Sequence, residues 1–292
     1  MECCCAPPKL KLNIKKSGCR CGGCVPLAST LFKTISGQPG CKCMQLFLGS
    51  PTTYDCQNFT SEDKTKTLGY CLQNDISFYV HCPFIANLAK PSCNSSMSVI
   101  GKELDVVQGL PGACVLHIGK VGTIENVAQR INELQSNGHL PSSNHSRVPF
   151  HLLLEIAAGQ GTELGRSWEE VRHLYEALDY TRVGICVDTQ HAFASGMNSF
   201  QTHEDVVKLF DMAGNIATKG ISMIHLNDSA TAFGSQVDRH APLRSGYIWN
   251  QSDEGLKSLV QISTDLGLDL ISETSDPYTD NAIVQSYNTM VL

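Results

Sequence analysis

No apolar run in the 292 residues approaches the roughly 20 that a membrane-spanning helix needs, and the longest, Leu152–Leu154 with Ile156–Ala158, is broken by Glu155. The start, MECCCAPPKL, lacks the basic region and apolar stretch of a secretory signal, so an intracellular chain with no membrane partner is expected. Excess positive charge is missing too. Twenty-two Lys and Arg against 28 Asp and Glu leave −6, which removes a broadly basic body as the means of holding nucleic acid. It leaves open one basic face, or charge added by bound divalent ions. Charged residues make up 17% and hydrophobic residues 42%, a balance that argues against long disordered segments and supports one large core. The 14 cysteines fall short of the roughly 8–10% that marks a disulfide-built scaffold. There is no G-x-S-x-G elbow, no Walker loop, no H-E-x-x-H and no Gly-rich dinucleotide fingerprint after the first strand. Neither a fixed-period repeat nor a Pro/Ser-rich linker divides the chain.

What is present has a rhythm. Residues 1–8 read as a flexible tail, and 9–292 as one domain. Alternating Leu10, Leu12 and Ile14 predict a first strand, and Cys43–Leu48 a second, with a short helix over Pro26–Ile35 between them. Further strands are expected at Ile76–Val80, Ala113–Leu116, Phe150–Leu154, Val183–Val187, Ile221–Ile224 and Leu268–Ile271, which makes eight. Helices are expected from the polar caps Ser61, Thr123, Ser167 and Thr202, the last two with Glu170 and Asp205 three residues on, in the pattern of capping boxes. Eight short apolar strands alternating with helices imply parallel pairing and closure into a (β/α)8 barrel. Cysteines crowd the first quarter, and Cys21 and Cys24 have C-x-x-C spacing. No second pair follows at knuckle distance, so a reduced, partly buried loop is preferred to a zinc knuckle or a local disulfide.

The informative feature is what ends the strands. Val80 runs into His81, Leu116 into His117, Leu154 into Glu155, Val187 into Asp188, Ile224 into His225 and Ser272 into Glu273. One His after a strand is usually structural, but six consecutive strands delivering His or carboxylate to the mouth of a barrel put chemistry there. His191, three residues after Asp188, and the pair Asp238 and His240 join them, giving five His, two Asp and two Glu. Such a set suits Zn²⁺, with Mn²⁺ as an alternative at one site, and at three or four ligands per ion it holds about three ions if a carboxylate bridges. Clustered ions fit phosphoester hydrolysis, where attacking and leaving oxygens are clamped together. His139, His145, His151, His173 and His203 read as surface residues. The loop AGQGTELG, Ala158–Gly165, reads as a strand-to-helix turn or as a close approach for a phosphate backbone.

The same residues carry a resemblance. LEIAAGQGTELG from Leu154, RVGICVDTQHAFASG from Arg182, HLNDSATAFGSQVDRHAPL from His225 and ISET from Ile271 resemble the endonuclease IV family of AP endonucleases, DNA-repair enzymes on a (β/α)8 barrel of the xylose-isomerase-like superfamily. The likeness is close from about Phe150 onward and looser before. It implies three zinc ions: Glu155 bridging, His81 and His117 completing the first site, Asp188, His225 and Glu273 the second, and His191, Asp238 and His240 the third. It also implies catalytic roles for Glu155, Glu273 and Asp188. The implied reaction is hydrolysis of the phosphodiester 5′ to an abasic nucleotide in double-stranded DNA, leaving a 3′-hydroxyl and a 5′-deoxyribose phosphate, by a monomer with no obligate protein partner. Phe84 and Ile85 match the wedge that family members insert into a bent duplex, and Arg239 a phosphate contact. Departures fall at Asn13, where the family usually has His, at Thr52 near its wedge arginine, and at Arg244–Trp249, RSGYIW, which keeps one glycine and the isoleucine of the usual stretch. The competing readings are a metal-dependent sugar isomerase or epimerase, for which the third site has no evident use, and a protein that binds damaged DNA without cutting it.

Overall fold

The computed structural model describes residues 20–38, 40–140, 148–179, 182–217 and 220–288. Eight parallel strands form the barrel in chain order: β1 Arg20–Gly23, β2 Cys43–Leu46, β3 Ser77–His81, β4 Gly112–His117, β5 Leu152–Glu155, β6 Val183–Asp188, β7 Ile221–His225 and, after the two-residue strands β8 Asp228–Ser229 and β9 His240–Ala241, β10 Asp269–Ser272. The ring runs β1, β10, β7, β6, β5, β4, β3, β2. Its ends meet at one parallel bridge between Cys24 and Gln45, where Val25 N donates to Gln45 O at 2.8 Å. That approach needs Gly22, because a Cβ there would lie 1.9 Å from the Cys43 carbonyl oxygen.

The first strand corrects the sequence reading. Leu10–Ile14, the tail and Asn13 lie outside the described residues, and β1 is the Arg-Cys-Gly-Gly of the cysteine-rich stretch. Arg20 carries no apolar periodicity because it is paired inside the barrel floor: its guanidinium donates to Asp269 Oδ1 (2.5 Å), Ser77 Oγ (2.7 Å) and the Lys42 carbonyl (2.6 Å), and Ser77 and Tyr79 donate to Asp269 Oδ2. A buried cation is tolerated only with such partners.

Strand alternation then sorts the core into two. Tyr79, Ala113, Val115, Leu153, Cys186, Met223 and Ile271 fill the barrel interior, while Phe78, Val80, Leu116, Leu154, Val187 and Ile224 face the helices. In β7 the parity changes. A register shift opposite Ile185–Cys186 leaves Ile221 facing outward and Met223 inward, which turns His225 inward as well. Gly184 makes room for the bulged Ser222, whose hydroxyl would lie 2.3 Å from a Cβ there.

The helices are α1 Leu31–Ser36, α2 Ser61–Asn74, α3 Asn94–Val107, α4 Ile124–Ser136, α5 Trp168–Glu176, α6 Thr189–Ala194, α7 His203–Gly214, α8 Glu254–Leu266 and α9 Pro277–Asn288. Thr60 rather than Ser61 caps α2, and Thr202 with Asp205 forms the expected capping box. Glu170 instead reaches past Ser167 to accept from Gly165 N and Arg166 N. None of the described helices is long and apolar enough to cross a membrane. His151 is buried, not on the surface as expected: it shares the parity of Leu153 and Glu155, and burial pushes its imidazole down to about 4. His139, His173 and His203 are at the surface, and His145 lies outside the described residues.

The packing makes two outcomes measurable. Gly22→Ala forces β1 off β2 and is expected to cost about 3 kcal/mol, read as a lowered thermal midpoint; an unchanged midpoint contradicts the seam. Glu103, buried on α3 beside Cys82 with Oε2 unpartnered, is pushed up to about 7 by burial. Folding favours its protonated form, so its contribution is intact below about pH 4.5 and is lost as pH rises through 7, on the order of 3 kcal/mol. Glu103→Gln is expected to gain on the wild type at pH 8 but not at pH 5 in urea unfolding, and an equal difference at both values refutes this.

Candidate metal centre

The inward parity that fills the interior also aims the strand ends at one point. His81, His117, Glu155 and His225 are the residues that follow Tyr79, Val115, Leu153 and Met223 on the inner face, and Glu273 follows Ile271. The nine expected residues meet there. Three overlapping sets have ligand atoms within 4.8 Å of one another: His81, His117 and Glu155; Glu155, Asp188, His225 and Glu273; and Asp188, His191 and His240. Asp238 lies against the last set, its Oδ1 3.4 Å from both His191 Nε2 and His240 Nε2.

Local structure explains each placement. Asp188 ends β6 and caps α6, its Oδ1 accepting from His191 N at 2.9 Å, so D-x-x-H spacing puts both on one turn and frees Oδ2 for the centre. Asp238 and His240 are carried back to the mouth by the antiparallel pair β8–β9. His81 Nδ1 donates to Cys82 O at 2.7 Å and His191 Nδ1 to Ile156 O at 2.9 Å, since a carbonyl can only accept; each ring therefore turns Nε2 to the centre.

Glu155 is the hub. Its Oε2 is 3.3 Å from His81 Nε2 and 3.5 Å from His117 Nε2, and its Oε1 is 3.1 Å from His225 Nδ1 and 3.3 Å from His191 Nδ1. Yet Glu155 Oε2 and His240 Nε2 are buried with no hydrogen-bond partner. Orphaned lone pairs among N and O donors are what a cation would satisfy, so the residues fit metal. The electrostatics agree. Burial disfavours the charged forms of His191 and His225, but Asp188, Asp238 and Glu155 outweigh it for His191, and Cys186 with Glu273 and Glu155 for His225, so both are held well above the usual imidazole range. Burial takes His117 down to about 4, which keeps it a neutral donor. Asp238, despite burial, is brought to about 2 by His191 and His240.

The centre floors a cavity of about 420 Å³ lined also by Cys24, Phe47, Phe84, Lys120 and Gln160. Phe84 is 53% exposed and packs on the rings of Phe47, His81 and His117. Ile85 beside it is partly buried, and Arg239 is exposed, with its guanidinium donating to Asp238 O. The Cys21 and Cys24 thiols face different partners, Gln285 for Cys21 and Gln45 for Cys24, so they form no knuckle.

A family model described as xylose isomerase-like TIM barrel matches residues 38–268. The chain belongs to the xylose isomerase-like TIM barrel family. It is 29% identical over 259 residues to the probable endonuclease 4 of Mycoplasmopsis synoviae, spanning 85% of this chain and 87% of that one. The crystal structure of endonuclease IV from Thermus thermophilus superposes with a TM-score of 0.78 at 22% identity, covering 93% of this chain and 99% of the other. A D-tagatose 3-epimerase-like protein shares the barrel at 0.64 and 15%, covering 93% and 98%.

Within this family fold, two centre residues escaped the sequence reading. Asn227 donates to Asp188 Oδ2 at 2.7 Å and accepts from Glu273 N, and Gln45 is buried against Glu273 and His225. Neither titrates, but both stand beside detectable signals: Asn227 two residues after His225, Gln45 two after the inward Cys43. If Glu155 is shared as this geometry allows, Glu155→Gln is expected to lower the metal content of the purified chain by more than His240→Ala does. Equal losses in elemental analysis contradict sharing.

Proposed function

We propose that the chain is a metal-dependent AP endonuclease that hydrolyses the phosphodiester 5′ to an abasic nucleotide in double-stranded DNA, with zinc at three positions. One observation carries the reading: N and O donors converge at the barrel mouth as three sets joined through two shared carboxylates, Glu155 and Asp188, with Asp238 against the third. Relatives named endonuclease 4 across most of the chain support it. Ions held there would acidify a water and offset charge developing on the phosphoryl and departing oxygens.

The chain's own part is placement. Glu155, Asp188 and Glu273 bring the sets together, which aims their open sides into the cavity. Loops after the strands carry six of the ten exposed large apolar side chains among the described residues: Tyr54, Phe84, Val121, Phe233, Val237 and Tyr247. Of these Phe84 lines the cavity above the polar floor, which suits a nucleotide already without its base, because flipping it out forfeits no pairing and Phe84 with Ile85 would fill the gap it leaves. Lys120 and Arg239 provide cations at the rim for backbone phosphates. The isomerase reading shares the barrel, but the set formed by His191, Asp238 and His240 gives it nothing to do.

A duplex bearing one abasic site is expected to be cut on its 5′ side by zinc-loaded protein, and an intact strand refutes the proposal. Glu273→Gln should lose at least about 100-fold in turnover, beyond the 10–100-fold typical of outer partners of ligands, while retaining DNA affinity. Because protons compete for the same nitrogens, activity should fall below about pH 6 and decay slowly in chelator.

A further inference from the structure

Gln45 is fully buried on β2, at the seam where the barrel closes. Its Nε2 donates to Glu273 Oε1 at 2.6 Å, and its Oε1 lies 2.8 Å from His225 Nε2. A carboxylate oxygen accepts, so the contact with Glu273 decides which end of the amide is which. The amide oxygen then faces the ring, and His225 must hold a proton on Nε2. What remains for an ion is Nδ1, the atom 3.1 Å from both Glu155 Oε1 and Glu273 Oε2 and 3.9 Å from Asp188 Oδ2.

We propose that Gln45 is the positioning residue of the set formed by Glu155, Asp188, His225 and Glu273: its amide selects the His225 tautomer and aims Glu273, so that both offer a free lone pair to one ion. The inference rests on the metal reading of the proposed function. His81 and His191 are turned the opposite way, with main-chain carbonyls accepting from Nδ1 and Nε2 presented to the centre. Among the described residues no main-chain carbonyl takes that place at His225, and the Gln45 amide at the seam supplies the acceptor. The same residue also closes the barrel, since its carbonyl accepts from Val25 N. Filling this site should therefore tighten the seam, and losing the amide should uncouple the two.

The test uses the whole chain loaded with Zn²⁺. In long-range ¹H–¹⁵N spectra of histidine-labelled wild type, His225 is expected to be protonated on Nε2 with Nδ1 shifted by the metal; a proton on Nδ1 overturns the proposal. In competition with a chelator, Gln45→Met, of similar length but without the amide, is expected to weaken one class of site about 10–100-fold and to shrink the zinc-induced rise in melting temperature. Gln45→Glu keeps the acceptor but repels Glu273, so it should retain the Nε2–H signal while losing the tight site. Unchanged zinc affinity in both variants overturns the role. Should Gln45→Met fail to fold, the wild-type spectrum still decides the tautomer. Wild type that binds zinc with the expected signal but leaves abasic DNA intact removes the proposed function alone, whereas wild type that binds no zinc removes both.

Discussion

The centre depends on one buried carboxylate. Glu155 sits among four imidazoles at 3.1–3.5 Å and is 1% exposed. An ionised group so placed is costly unless positive charge surrounds it. Protonation of His191, favoured by Asp188, Asp238 and Glu155, supplies part of that charge. The arrangement thus selects for cations before any ion is considered, and the orphaned Glu155 Oε2 and His240 Nε2 show that protons satisfy it incompletely. Asp188 and Glu273 extend the negative field toward the rim, where Asp238 and His240 are more exposed.

Delivery of these groups follows from the parity of short strands. A one-residue slip would send a ligand into the helix layer, so each register must be fixed by something other than the ligand. At the floor, the Arg20–Asp269 pair and its partners Ser77 and Tyr79 pin β1, β3 and β10. In the middle, apolar side chains fill the interior. In β7, the bulge at Ser222, for which Gly184 leaves room, corrects a parity that would otherwise bury His225 on the wrong face. Polar floor, apolar middle and acidic mouth form a stack in which each layer constrains the next.

This layering also explains what the sequence made legible. Where a strand is apolar up to its last residue, as at Leu152–Leu154 before Glu155, composition alone locates both strand and ligand. The first strand fails that test because its inward residues, Arg20 and Gly22, answer to partners remote in sequence: Asp269, 249 residues away, and the Cys43 carbonyl. The residue that follows Gly22 on the inner face, at the mouth end of that strand, is Cys24. His151 is misplaced by an apolar stretch counted from Phe150 without following parity one residue further. Gln45 and Asn227 stay hidden because an amide announces no chemistry until its neighbours are known.

Loops tell the complementary story. In the stretch Arg244–Trp249, Gly246 and Ile248 fit a scaffold centred on Asp228, whose carboxylate accepts from Gly246 N and Ile248 N. A Cβ at Gly246 would lie 2.3 Å from Ser229 O, and Ile248 is buried. Arg244 departs from glycine at a left-handed φ of 67°, and Tyr247, held to Ser229 O through its main-chain N, points an exposed ring to the solvent. Asp228 lies between His225 and β9, so the retained glycine and isoleucine protect the return of His240 to the centre. Strand ends therefore carry the chemistry, a few loop positions guard their geometry, and the remaining loop surface is free to differ in what it holds against the cavity.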